Sequence, residues 1–111
     1  MAYDEALADR IRKLVGGESD LAEKKMFGGL AFLIRGNMAV AASGQGGVLV
    51  HVDPAQSERL VATTTARPME MRGRKMQGWL RVGVEDLRTE RQLAKWVDLG
   101  MTYARSLPAK R

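Results

Sequence analysis

The stretch 26–52, MFGGLAFLIRGNMAVAASGQGGVLVHV, decides the fold. Its apolar runs, Met26-Phe27, Leu30 to Ile34, Met38 to Ala42 and Val48 to Val52, are short and separated by glycine-bearing breaks. Runs of that length bounded by turn residues read as antiparallel strands. Arg35-Gly36-Asn37 supplies a hairpin turn, in which glycine and asparagine tolerate positive φ, and Ser43-Gly44-Gln45-Gly46-Gly47 supplies a longer one. Gly28-Gly29 reads as a strand bulge that leaves the first two runs as one bent strand, with close approach of a ligand to the backbone as the competing reading.

Upstream, Tyr3, Leu7, Ile11 and Leu14 recur at helical spacing and Gly16-Gly17 gives a stop, which predicts an amphipathic helix over 2–15. Downstream, Asp53-Pro54-Ala55-Gln56 has the form of a helix start: aspartate as N-cap, proline at the first helical position, glutamine reaching back to the cap. That helix runs to about Ala62. Residues Arg67 to Met71 and Lys75 to Val82 read as two further strands around Gly73. Thr89-Glu90-Arg91-Gln92 matches a capping box, and behind it Leu93, Trp96, Val97, Gly100, Met101 and Ala104 keep one helical stripe. The order α-β(3–4)-α-β(2)-α predicts a two-layer α+β domain, an antiparallel sheet with helices packed on it. Residues 1–111 read as one domain without repeat or linker, and nothing in the order suggests a doubly wound nucleotide-binding fold.

Composition narrows the class. The 111 residues are 45% hydrophobic and 28% charged, inside the range of chains that fold. With six aromatic residues and seven methionines, aliphatic and methionine side chains must supply most of the core volume. The chain has no cysteine, which excludes a disulfide framework, a thiolate metal site and a cysteine nucleophile. No signal-peptide run or membrane span is visible, so a cytoplasmic protein is expected. The net charge of +5 is uneven. Residues 67–81 hold Arg67, Arg72, Arg74, Lys75 and Arg81 against Glu70 alone, a net +4.

Few residues are equipped to carry chemistry. His51 is the single histidine and has no companion to build a zinc site or a triad, so it reads as a structural or surface residue. The glycine loop 43–47 fails the dinucleotide fingerprint, because Leu49 stands where the third glycine belongs, and no P-loop lysine follows. Asp53, Glu58, Glu85 and Asp86 look like helix-start carboxylates rather than an acid-base pair. Phe27, Phe32, Trp79 and Trp96 could form a stacking platform for single strands, but the core needs its aromatics. Trp79, sharing a strand face with Gln77 and Arg81, is the aromatic best placed for a partner surface. Arg67, Arg72, Arg74, Lys75 and Arg81 are candidate contacts for phosphates or for a protein partner. No catalytic residue, metal or cofactor is expected.

The run Lys24-Lys25-Met26-Phe27-Gly28-Gly29, followed by Phe32, Gly36-Asn37-Met38, Arg67-Pro68-Met69 and Met76-Gln77-Gly78-Trp79-Leu80, resembles the N-terminal domain of the TfoX/Sxy competence regulators. The resemblance spans residues 24–107, and its signature positions here are Lys24, Lys25, Met26, Phe27, Gly28, Gly29, Gly36, Met38, Met76, Gly78 and Trp79. It implies a secretion-chaperone-like two-layer fold, often homodimeric, with no established catalytic residues. The full-length regulators promote competence-gene transcription with the cyclic-AMP receptor protein and carry a second, C-terminal domain. A chain ending at Arg111 leaves no room for it, so a stand-alone N-terminal domain is expected. The leading expectation is a homodimeric regulatory module that contacts another protein through a sheet edge or the terminal helix. The alternatives are an accessory protein binding nucleic acid weakly and without sequence preference through residues 67–81, and an enzyme with a small-molecule pocket.

Overall fold

Asp4 stops being extended where its carboxylate can accept the Leu7 N–H, at 3.2 Å, and that cap starts the first helix. In a computed structural model describing residues 3–26 and 28–109, helix α1 spans Glu5–Val15 and buries Leu7, Ala8, Ile11 and Val15. Strands β1 (Leu21–Met26), β2 (Gly29–Ile34), β3 (Asn37–Ala42) and β4 (Val48–His51) follow, then helix α2 (Pro54–Thr63). Strands β5 (Arg67–Met71) and β6 (Arg74–Val82), a short 3-10 turn at Val84–Asp86 and helix α3 (Glu90–Ser106) complete the chain. The observed order, α-β4-α-β2-α, is the expected one with the larger strand count. All six strands form one antiparallel sheet in the order β1-β2-β3-β4-β6-β5.

Two readings of the first hairpin change. Met26 pairs with Gly29, so the chain reverses between them and Gly28-Gly29 is not a bulge in one bent strand. Gly28 takes φ +74, while a Cβ on Gly29 would lie 2.1 Å from the Ala42 carbonyl oxygen. One glycine serves the turn and the other lets β2 and β3 approach. Phe27 lies outside the described residues. The real bulge falls later, between Phe32 and Leu33, where the register with β3 slips past Ala39. Strand β1 is also longer than the Met26-Phe27 run, because its middle is Glu23-Lys24-Lys25, exposed on a sheet edge. Charged residues there guard the edge against pairing with another chain.

The turns between β2 and β3 and between β5 and β6 are two-residue type I′ reversals. Arg35 and Gly36 have φ of 50 and 83, Arg72 and Gly73 of 55 and 79. Asn37 therefore does not take the positive φ expected of it. It opens β3, buried, and its side-chain amide donates to the Pro108 carbonyl at 2.8 Å.

Helix α2 starts on Asp53, whose carboxylate accepts from the Ala55 N–H at 2.9 Å. The backbone N–H of Gln56, rather than its side chain, closes on the Asp53 carbonyl. Helix α3 forms the full capping box: Gln92 N–H donates to Thr89 Oγ1 at 3.1 Å and Thr89 N–H to Gln92 Oε1 at 3.0 Å. Its stripe Leu93, Trp96, Val97, Gly100, Met101 and Ala104 is buried. Gly100 permits the seating, since a Cβ there would meet the Ala39 carbonyl oxygen at 2.3 Å.

All the helix residues of the main core pack against one face of the sheet, on Phe32, Ile34, Val40, Val50, Leu80 and Val82 among others. Among the described residues, no helix is long and apolar enough to cross a membrane.

Candidate binding face

Strand alternation puts every second residue of the sheet on the face away from the main core. There a second apolar cluster forms from Ala31, Met38, Ala41, Leu49 and Met69, with Met26, Leu33, Met76 and Trp79 half-buried around them. Among the described residues, no helix residue joins it. The registers resolve the face into rows. One runs Lys24–Ala31–Ala41–Leu49–Arg81–Arg67 across all six strands, because partners directly opposite share a face. The neighbouring row holds Ala22, Leu33 and Met38, then His51 opposite Trp79. Four methionines supply much of this surface, and unbranched, polarisable side chains adapt to varied partners.

At one end of the face His51 is clamped. Its ring stacks on Trp79 with centroids 3.9 Å apart and an interplanar angle of 9°, meets the edge of Tyr103 at 5.0 Å, and places Nδ1 3.2 Å from the Met38 carbonyl oxygen. A hollow of about 610 Å³ opens beside it, lined by Met26, Leu33, Met38, Tyr103, Leu107, Pro108 and Ala109 among others. Trp79 reaches this place through a bulge. Pairing of β5 with β6 jumps from Pro68–Leu80 to Met69–Met76, and Gly78, at φ +86, passes its carbonyl to the Val52 N–H at 2.7 Å. The jump breaks simple alternation. Arg81 shares the face of Trp79, but Gln77 does not, and lines a separate hollow with Ser57, Glu58 and Val61 of α2.

The basic residues of 67–81 divide into two groups. Arg72, Arg74 and Lys75 stand exposed at the β5–β6 tip. Arg67 and Arg81 face each other across the ladder at the end of the apolar row. Buried Ser43 accepts from Arg81 Nη1 at 3.1 Å and from the Gln45 N–H at 3.1 Å, so the glycine loop steadies this arginine. Gln45, Arg67 and Arg81 line two adjoining hollows of about 500 and 270 Å³. Neither arginine forms an ion pair among the described residues, whereas Arg12 pairs with Glu23 at 2.8 Å and Arg105 with Glu18 at 2.7 Å. Those hydrogen bonds hold both carboxyl groups below the usual glutamate range.

The signature positions serve the fold and the face together. Gly28, Gly36 and Gly78 take positive φ, and Gly29 fills a close strand approach. Met26, Met38, Met76 and Trp79, spread over some fifty positions of sequence, converge on the helix-free cluster. Lys24 stands at its edge in the long row, and Lys25 alternates to the other side. All six residues of β3 are buried at the centre of the sheet. What the sequence did not disclose was the cluster itself, together with His51 as the partner of Trp79. Among the described residues no group of histidine and acidic side chains is arranged to hold a metal ion.

Among curated proteins none matches this sequence. The pattern of the TfoX N-terminal domain does, over residues 13–104, a span that holds all six strands, α2 and most of α3. The chain belongs to the TfoX N-terminal domain family.

Proposed function

We propose that this domain is a regulatory protein-interaction module related to the competence and transcription regulators, and that it docks its partner on the helix-free sheet face. The observation that carries the reading is the methionine-rich cluster on the sheet face away from the main core, whose half-buried Met26, Leu33, Met76 and Trp79 reach the surface. Contiguous apolar surface rimmed by polar residues is characteristic of interaction sites. The sheet edges serve less well. Strand β1 presents lysines and β5 carries Pro68, which lacks a donor for strand addition. The apolar stripe of α3 is spent on the core. The family is not one known for enzymes.

Affinity capture from cell extract, with and without nuclease, tests the reading when native protein is compared with Leu33→Glu. Protein partners should survive nuclease and be lost with the variant. Recovery that depends wholly on nucleic acid would overturn the module and favour the second reading, in which Arg72, Arg74 and Lys75 at the exposed hairpin tip neutralise phosphates without reading bases. The module is also proposed to be a homodimer in the cytoplasm. Light scattering over a wide concentration range tests the dimer, and a 12.2 kDa species alone would refute it.

A further inference from the structure

Arg67 and Arg81 break a local rule of sheet design. Like charges directly opposite on neighbouring strands are destabilising, and no carboxylate among the described residues pairs with either arginine. Glu70, Lys75 and Glu85 line the flanking hollows, none of them in an ion pair. Arg81 is nevertheless held in place by the Ser43 hydroxyl rather than left to swing away. Departures from local consistency of this kind concentrate where a protein binds something. A planar guanidinium accepts a carboxylate bidentately, and two of them side by side make a receptor for acidic groups.

The clamp does not stand alone. It terminates the row that crosses Leu49, Ala41 and Ala31, and the opposite end of that row is Lys24. Ala31, Ala41 and Leu49 along the row are buried, and the apolar side chains that reach the surface between the basic ends are the half-buried Met26, Leu33, Met76 and Trp79 around them. Lys24 and Arg81 are four strand spacings apart in the sheet order, roughly 19 Å at about 4.8 Å per strand. About six residues of extended chain cover that length. A second copy of this chain is a poor occupant of the same face, since either alignment of two such rows sets cation against cation.

Resting on the reading of this face as a docking surface, we propose that its partner is an acidic amphipathic segment of another protein. The segment lays apolar side chains against the half-buried Met26, Leu33, Met76 and Trp79 that stand around this row, and places carboxylates at Arg67 and Arg81 and at Lys24. The segment's acidic groups, spaced by about six residues, give it its direction and register.

The test uses a fluorescent ten-residue peptide with two glutamates at each end and leucine alternating with serine between. One control carries lysines in place of the glutamates; another has the same composition with its four glutamates in the centre. Anisotropy at low and physiological salt should show the end-acidic peptide binding at least tenfold more tightly than either control. The double variant Arg67→Gln/Arg81→Gln should lose that advantage, while Arg88→Gln/Arg91→Gln, which removes the same charge elsewhere, should keep it. Thermal melting checks that both variants are folded. Equal binding of the lysine-ended peptide, or unchanged affinity in the arginine double variant, overturns the proposal. If the peptides bind alike but Leu33→Glu abolishes all of them, the docking face stands and only the acidic partner falls. If none binds, the acidic segment is refuted as well, and the capture comparison judges the module independently.

Discussion

The two faces of the sheet are built from the same strands but by different rules. On one, Phe32, Ile34, Val40, Val50 and Leu80 are sealed under three helices whose apolar stripes fit them. On the other, methionine, alanine and a half-buried tryptophan form a smaller apolar cluster with cations at its margins, which no helix residue joins among the described residues, although Tyr103 of α3 meets His51 beside it. Adjacent residues of one strand belong to opposite regimes: Ile34 is 2% exposed within the main core, while Leu33 is half-buried in the second cluster. The difference separates residues sealed under the helices from residues that keep part of their surface.

The largest expected effect lies on the sealed side. Trp96 is 4% exposed at the centre of the α3 stripe, and Trp96→Ala should cost about 3–5 kcal/mol. A urea midpoint and slope both unchanged by the substitution would remove α3 from the core.

A direct contest between the faces comes next. Ile34→Ala should cost about 2–5 kcal/mol, because it opens a cavity in a close-packed interior. Leu33→Ala should cost less, on the order of 1 kcal/mol, since its side chain recovers only part of the transfer energy of full burial. Chemical denaturation of the pair measures both, and equal losses would mean that the second cluster is as much core as the first.

A smaller effect concerns charge. Replacing Arg72, Arg74 and Lys75 together with alanine should leave stability within about 0.5 kcal/mol, because they are exposed and unpaired by carboxylates. If duplex DNA binds at all, the triple variant should weaken it equally for unrelated sequences. The slope of log K against log salt should flatten by roughly 0.9 for each phosphate that the variant no longer neutralises. Sequence preference that survives physiological salt would point to base readout instead.

The smallest is a pH effect on the surface ties of α1 and α3. Glu18, hydrogen-bonded by Arg105, has a folded-state pKa below its ordinary 4.5. Its contribution is therefore present above that value and is lost as pH falls through the lower folded value. Glu23 with Arg12 behaves the same way. Both pairs are open to solvent, so Glu18→Gln should flatten the acid limb of a melting profile only slightly, and salt should erase the difference. A steep acid transition abolished by this one substitution would make the tie far more than a surface interaction.

Helix starts and hairpin positions were legible because their causes are local. Thr89 and Gln92 satisfy each other's backbone within one turn, and Gly36 and Gly73 take the positive φ their reversals demand. The helical stripe of α3 was readable for the same reason, since its period is written into consecutive residues. Strand β1 was half hidden, because an exposed edge strand carrying Glu23, Lys24 and Lys25 has no alternation to reveal it. Gly28 and Gly29 announced unusual backbone but not its kind.

Whether two glycines make a bulge or a turn depends on what pairs with their neighbours, and only the register of Met26 with Gly29 answers that. The second apolar face has the same origin. By itself the sequence determined element order, the residues that start the helices, the α+β class and the family, all of which rest on short-range periodicity or motif. The tertiary structure alone decided that Met26, Met38, Met76 and Trp79 share a surface, that His51 stacks on Trp79, and that Arg67 stands opposite Arg81. Those neighbours are distant in sequence, and strand register, which a single bulge at Gly78 can shift, is set by packing across the whole sheet rather than by any local run of residues.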